Sequence, residues 1–200
     1  MPVETIKWEG GLSGHVDMID QTLLPEEFTR IRCETPEDMW EAIKVLRVRG
    51  APAIGIAAAM GLVLGVRDCE AGDFDGFMAH LREVKDYLET SRPTAVNLFW
   101  ALDRMERTAR ENADLPLREL KERLLEEAKE IAREDREICR QIGKNGAALI
   151  EEGDSILTHC NAGALATADY GTACAVIYAA HERGKDISVF ADETRPLLQG

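Results

Sequence analysis

The stretch Ser155-Ile156-Leu157-Thr158-His159-Cys160-Asn161-Ala162-Gly163 concentrates groups that can do chemistry. It reads as a short buried strand, Ile156 to Thr158, running through small residues into a helix expected over Thr167–Arg183. In open α/β sheets ligands gather at the carboxyl ends of strands, where the chain turns into the next helix. Cys160 lies at that position. The N–H groups that open a helix favour an anion, whether a thiolate or a bound phosphate. Strand alternation sends His159 and Cys160 to opposite faces, which makes them a poor acid–base dyad although they are adjacent. The residues alone leave Cys160 two readings, a reactive group at a strand end or a buried, inert thiol.

Two arginines form the second chemical signal. Arg49-Gly50-Ala51-Pro52 places a guanidinium and a glycine directly before a helix that Pro52 starts, and Arg92-Pro93 repeats the arrangement. Free N–H groups at a helix opening, a glycine that permits close approach and a guanidinium alongside suit an anion. Each also reads as an ordinary helix entry with a solvated arginine. The repetition is what points to one shared anion site. Asp192 and Glu193, at the end of a second strand expected over Ile187–Ala191, are the carboxylates closest to Cys160 on this reading.

These groups need elements to position them. Thr5–Trp8, Val16–Asp20 and Phe28–Cys33 are β-rich pieces separated by turn residues, which suggests a small antiparallel sheet. Thr35-Pro36-Glu37-Asp38 supplies an N-cap, a first-turn proline and early acids for a helix with Trp40, Ile43 and Leu46 on one side. Ala51 to Val66 is rich in Gly and Ala and too short for a membrane span, so it reads as a tightly packed internal helix. Residues 73–90 are amphipathic, with Phe74, Phe77, Met78, Leu81, Val84 and Leu88 on one face. A further helix should open at Pro93 and run through Trp100, Leu102 and Met105. Leu117 to Ile150 is the longest helical pattern, with Leu117, Leu120, Leu124, Ile131, Ile138 and Ile142 in steps of three and four. Asp135, Gly143 and Gly146 interrupt its seam, which argues against a coiled coil. From Ser155 the period changes to β-α-β, which implies parallel strands. The expected fold is α/β: a mixed N-terminal domain over residues 1–115, a connecting helix over 116–150, and the start of a Rossmann-like parallel sheet over 151–200.

Composition excludes several classes of function. The 200 residues are 45% apolar and 30% charged, the balance of a soluble globular chain. A net charge of −13 disfavours nucleic acid and anionic membrane as partners. Five cysteines (Cys33, Cys69, Cys139, Cys160 and Cys174) are an odd number without a C-x-x-C pair, and the histidines lack zinc-ligand spacing. The pattern suits a reducing cytoplasm, and Met1-Pro2-Val3-Glu4 has no signal-peptide character.

Five ordered stretches together resemble the methylthioribose-1-phosphate isomerase family, the aldose–ketose isomerases of methionine salvage. They are Asp20–Pro25, Arg47–Gly55, Ser91–Leu98, Thr158–Gly163 and 191–200, so the resemblance covers essentially the whole chain. It implies that Arg49, Gly50, Ala51, Arg92 and Gln199 bind substrate and that Cys160 is catalytic. It also implies a homodimer acting on a sugar phosphate without metal or nucleotide cofactor. The family reaction opens a furanose ring and moves a proton between C1 and C2, which calls for two acid–base groups. In the family the partner of the cysteine is an aspartate that would lie beyond Gly200, as would an Asn-Lys substrate contact. The 200 residues by themselves are therefore expected to lack turnover and to expose the edge and apolar face of strand Ile187–Ala191. Two related families are the alternatives: ribose 1,5-bisphosphate isomerases, and the regulatory subunits of the translation initiation guanine-nucleotide exchange factor, which are binding proteins.

Overall fold

The computed structural model describes residues 3–195. Three strands, β1 (Ile6–Glu9), β2 (His15–Ile19) and β3 (Arg30–Cys33), form the expected antiparallel sheet in the order β1-β2-β3. Ile6 faces Met18 and Val16 faces Cys33 across the two ladders. Alternation along these strands buries Ile6, Trp8, Val16 and Met18 in the core.

Helix α1 (Pro36–Lys44) is closed at its start by a capping box between Thr35 and Asp38. Its buried residues are Met39, Ala42 and Ile43; Trp40 is half-buried and stacks on Tyr87. Leu46 does not join that face, because the helix has ended and Leu46 takes a left-handed conformation with φ 71°.

Helix α2 (Ala51–Val66) is the centre of the molecule, buried at every position from Ala53 to Leu64. Helices α3 (Phe74–Glu89), α4 (Val96–Glu111) and α5 (Leu117–Gly146) pack around it. An all-round apolar helix needs cover on every side, and its Gly and Ala residues let its neighbours approach closely. The α2–α4 contact runs through Gly55, where a side chain would lie 3.0 Å from the Asn97 carbonyl. Helix α4 begins later than Pro93 suggests: Pro93 sits in a turn closed by the Ala95 N–H donating to the Arg92 carbonyl at 3.0 Å. A residue that precedes proline is pushed out of helical conformation, which favours that turn over an earlier start.

Helix α5 is continuous through Asp135, but its apolar stripe is only partly covered. Leu120, Leu124 and Ile131 are buried, whereas Ile138 is 59% and Ile142 36% exposed. Eighteen residues separate Leu120 from Ile138, five whole turns, so both point the same way. The 30-residue α5 simply outreaches the 16-residue α2 and α4 on which that face rests. Beyond them α5 carries α6 (Ala173–Glu182) on a different face, at Gly143 and Gly146.

Strands β4 (Ser155–Thr158) and β5 (Ser188–Ala191) pair in parallel and are joined through α6, the expected β-α-β unit. Leu157 is 71% and Phe190 61% exposed, so one face of this pair is uncovered among the described residues. No helix among them is long and apolar enough to cross a membrane.

Candidate active site at the carboxyl end of strand β4

Cys160 leaves β4 through a left-handed backbone conformation, φ 65°, unusual for a residue with a side chain. Strain of that kind costs about 1–3 kcal/mol and concentrates at functional sites. The thiol is exposed and lines a cavity of about 470 Å³. Thr158, Asn161, Leu24, Phe28, Cys174 and Tyr178 share that lining, to which no charged side chain contributes among the described residues. Thr158 Oγ1 and Asn161 Nδ2 are buried there without a hydrogen-bond partner among the described residues. An unmet buried polar atom costs about 1–3 kcal/mol, which is the scale of what a hydrogen-bonding group placed there would recover.

The helix expected at Thr167 starts instead at Ala173. Its opening N–H groups do not serve the thiol: those of Thr172 and Cys174 donate to the Ala162 carbonyl, at 2.9 and 3.2 Å. Residues 164–169 are withheld from the helix because other groups claim their backbone. Ala164–Ala166 forms a 3₁₀ turn, and Thr5 Oγ1 donates to the Ala164 carbonyl at 2.7 Å. Thr5 N–H donates to the Ala168 carbonyl at 2.9 Å, and Ala168 N–H donates to the Asp135 carboxylate at 2.7 Å. Asp135 interrupts the apolar seam of α5 in order to hold this segment. Burial pushes its carboxyl up from the ordinary range.

The Asp20 and Arg47 stretches interlock beneath the same segment. Asp20 is buried, accepts from Thr22 N–H at 3.0 Å and pairs with the Arg47 guanidinium. Burial works to raise its pKa, but the Thr22 hydrogen bonds and Arg47 outweigh it and hold the carboxyl low. Gln21 N–H donates to the Arg47 carbonyl at 2.9 Å. Arg49 is only 6% exposed and has no carboxylate partner among the described residues. Its Nη2 donates to the Gln21 backbone carbonyl at 3.2 Å and its Nε to Gln21 Oε1 at 3.4 Å. Burial pulls its pKa below that of an ordinary arginine. Gln21 Nε2 donates in turn to the Leu165 carbonyl at 2.8 Å, five residues past the thiol.

Gly50 caps α2 with φ 95°, and a side chain there would strike Ala166 at 2.4 Å. Ala51, the first residue of α2, is exposed. Arg92 is half-buried, and its guanidinium has no hydrogen-bonding or ionic partner among the described residues. Gln199 lies outside the described residues. Asp192 and Glu193 are engaged elsewhere: Asp192 meets His159 Nδ1 at 2.7 Å, Glu193 accepts from Arg195 at 2.7 Å, and neither lines the cavity. Thr5, Gln21 and Asp135 are the site residues that sequence reasoning passed over. For Asp135 a signal existed, a carboxylate on the apolar face of a helix.

A buried arginine without an acidic partner among the described residues and a strained cysteine at a strand end, linked through Gln21 and the segment that follows Cys160, are the chemical features of this α/β fold. The chain belongs to the Initiation factor 2 subunit family, whose pattern it matches over residues 47–200. It is 60% identical over 92% of its length to a methylthioribose-1-phosphate isomerase of Symbiobacterium thermophilum, covering 51% of that protein. Among solved structures it resembles 5-methylthioribose 1-phosphate isomerase from Pyrococcus horikoshii OT3, with a TM-score of 0.90 and 42% identity over 98% of this chain and 54% of that one. A structure described as translation initiation factor eIF-2B, subunit delta, from A. fulgidus superposes with a TM-score of 0.86 and 46% identity, over 99% of this chain and 56% of that one. The chain spans about half the length of the curated relatives it matches.

Proposed function

We propose that this chain carries the substrate-binding and thiol half of an aldose–ketose isomerase that converts 5-methylthioribose 1-phosphate to 5-methylthioribulose 1-phosphate. The observation that carries the reading is Arg49, a buried guanidinium left without a carboxylate in a chain with 37 acidic and 24 basic residues. A charge kept uncompensated at such cost is suited to an anionic ligand. Arg92, half-buried and unpaired, is the second cation for that phosphate, with the N–H groups of Gly50 and Ala51 at the opening of α2 alongside. Gln199 completes the set by family resemblance.

Cys160 is the acid–base group at C1 and C2, and Thr158 Oγ1 and Asn161 Nδ2 bind sugar oxygens beside it. The second acid–base group is supplied from outside this chain's described residues, because Asp192 and Glu193 are paired away from the cavity. The uncharged lining around Cys160 suits an apolar 5-substituent better than a second phosphate, which favours this substrate over ribose 1,5-bisphosphate. The arginine pair and the strained cysteine favour an enzyme over a regulatory subunit, which needs neither.

The division at residues 115 and 150, a Rossmann-like completion of the β4–β5 sheet, a homodimeric assembly and a cytoplasmic setting belong to the same proposal. The experiment is isomerase turnover with the chain alone and joined to a segment that completes the length of its isomerase relatives. The joined form should convert 5-methylthioribose 1-phosphate, and Arg92→Ala should weaken substrate binding by about 1.5–3 kcal/mol, the scale of a charge-assisted hydrogen bond. Preference for ribose 1,5-bisphosphate, or no turnover of either sugar by the joined form, would overturn the reading.

A further inference from the structure

We propose that Gln21 is a positioning residue: its neutral amide keeps the Arg49 charge free for an anion while tying that arginine to the segment that follows Cys160. The inference rests on the anion-binding role given to Arg49 above.

Several other half-buried arginines of this chain are neutralised by carboxylates, with Arg92 an exception among the described residues. Arg47 pairs with Asp20 and Glu41, Arg104 with Glu127 and Glu134, and Arg136 with Glu4. Arg49 is more buried than these, yet both its hydrogen-bond acceptors among the described residues belong to Gln21. A carboxylate in that position would form an ion pair and cancel the charge that an incoming anion would meet.

Gln21 is itself 1% exposed, and all its polar groups are committed. Its backbone N–H donates to the Arg47 carbonyl and its backbone carbonyl accepts from Arg49. The side-chain amide has one possible orientation. The Leu165 carbonyl can only accept, so Nε2 must face it, and the guanidinium can only donate, so Oε1 must face Arg49. No other residue type of this length donates to one neighbour and accepts from the other without carrying charge. One buried amide therefore bridges the Arg49 guanidinium and the segment that follows Cys160.

The test uses sulfate, a phosphate mimic whose charge does not change between pH 4 and pH 8, titrated into the chain, Gln21→Met and Gln21→Glu. All three are first shown by circular dichroism to be folded. At pH 8 affinity should fall in the order parent, Met, Glu, with Glu at least about tenfold below parent. The gap between Glu and Met should close as pH falls through the carboxyl's titration, about pH 6 to 4, because a protonated carboxyl can donate to Leu165 and accept from Arg49 as the amide does. The parent supplies a check that needs no variant: saturating sulfate should shift the side-chain nuclear magnetic resonance signals of Arg49 Nε–H and Gln21 Nε2 together. Equal affinities for Met and Glu at every pH would mark Gln21 as packing alone and overturn the inference, as would sulfate that binds without moving the Gln21 signal. A parent that binds no sulfate at all would instead remove the anion site, and the proposed function with it.

Discussion

Gly50 and Ala166 lie in such close contact that a single methyl at residue 50 would come within 2.4 Å of the Ala166 Cα and 2.5 Å of its Cβ. The helix opening that bears Arg49 and the turn that follows Cys160 are thus one packed unit, although 116 positions separate them in sequence. Gly50→Ala should cost about 2–4 kcal/mol, combining left-handed strain at φ 95° with overpacking. Denaturant unfolding measures the loss, and amide exchange at residues 164–168 should speed up with it. A change within about 0.5 kcal/mol, the range of an ordinary surface substitution, would show that the contact is not held in solution.

The five cysteines should separate sharply in reactivity. Burial pushes the Cys33 thiol up to about 12 and the Cys139 thiol up to about 11, while Cys160 is exposed. At pH 8 a thiol with a pKa near 11 is about one part in a thousand thiolate, the reactive form. Brief alkylation read by mass spectrometry should therefore mark Cys160 and spare Cys33 and Cys139. In a form spanning the length of its isomerase relatives, Cys160→Ser should abolish turnover with the melting temperature nearly unchanged. Equal loss from Cys139→Ser would mean that packing rather than chemistry was being read.

Asp135 should behave as a hydrogen-bond acceptor whose charge is a burden. Its folded pKa is raised, first by burial and also by nearby Asp169. The sign follows: its contribution to stability is greatest below the unfolded pKa and shrinks as pH rises through the folded one. Asp135→Asn keeps an oxygen for the Ala168 N–H and should equal or exceed the parent's stability at pH 7, with the difference closing towards pH 4. Asp135→Ala leaves that N–H without its acceptor and should cost about 1–2 kcal/mol. Parallel unfolding curves at the two pH values decide it, and an Asn variant as damaged as Ala would refute the assignment.

Two glycines on α5 set how closely α6 can approach, and they should differ in tolerance. A methyl at Gly143 would meet the Ala175 carbonyl oxygen at 2.7 Å, which is backbone and cannot step aside. At Gly146 it would meet a Val176 methyl at 2.4 Å, at the end of a side chain that can turn about χ1. Alanine gains about 1 kcal/mol over glycine in a helix interior. Gly143→Ala should still be destabilising by about 1–3 kcal/mol, the usual range for overpacking, and clearly worse than Gly146→Ala. Thermal unfolding of the two variants gives the comparison; the reverse order would misplace the α5–α6 contact.

Local patterns in the sequence were enough for the elements. The capping box at Thr35, the apolar run of α2, the amphipathic period of α3 and the shift to β-α-β after Ser155 are short-range signals, and each reappears with boundaries close to those expected. The stretches around Arg49, Arg92 and Cys160 stand out in the sequence as candidates, because arginines set directly before Gly-Ala-Pro or Pro are conspicuous in a chain this acidic. The connections among them do not. Helix propensity favours a start near Thr167, but Thr5 and Asp135 claim the carbonyl and N–H groups of residues 164–168 from 33 or more positions away, and the helix waits until Ala173. Likewise the apolar stripe of α5 runs past Ile138, and only the lengths of the neighbouring helices decide where burial stops. Above all, nothing local to Gln21 says that its amide will face Arg49 on one side and Leu165 on the other. A hydrogen bond between distant segments is specified by the packing of every element between them, and that is a property of the tertiary structure alone.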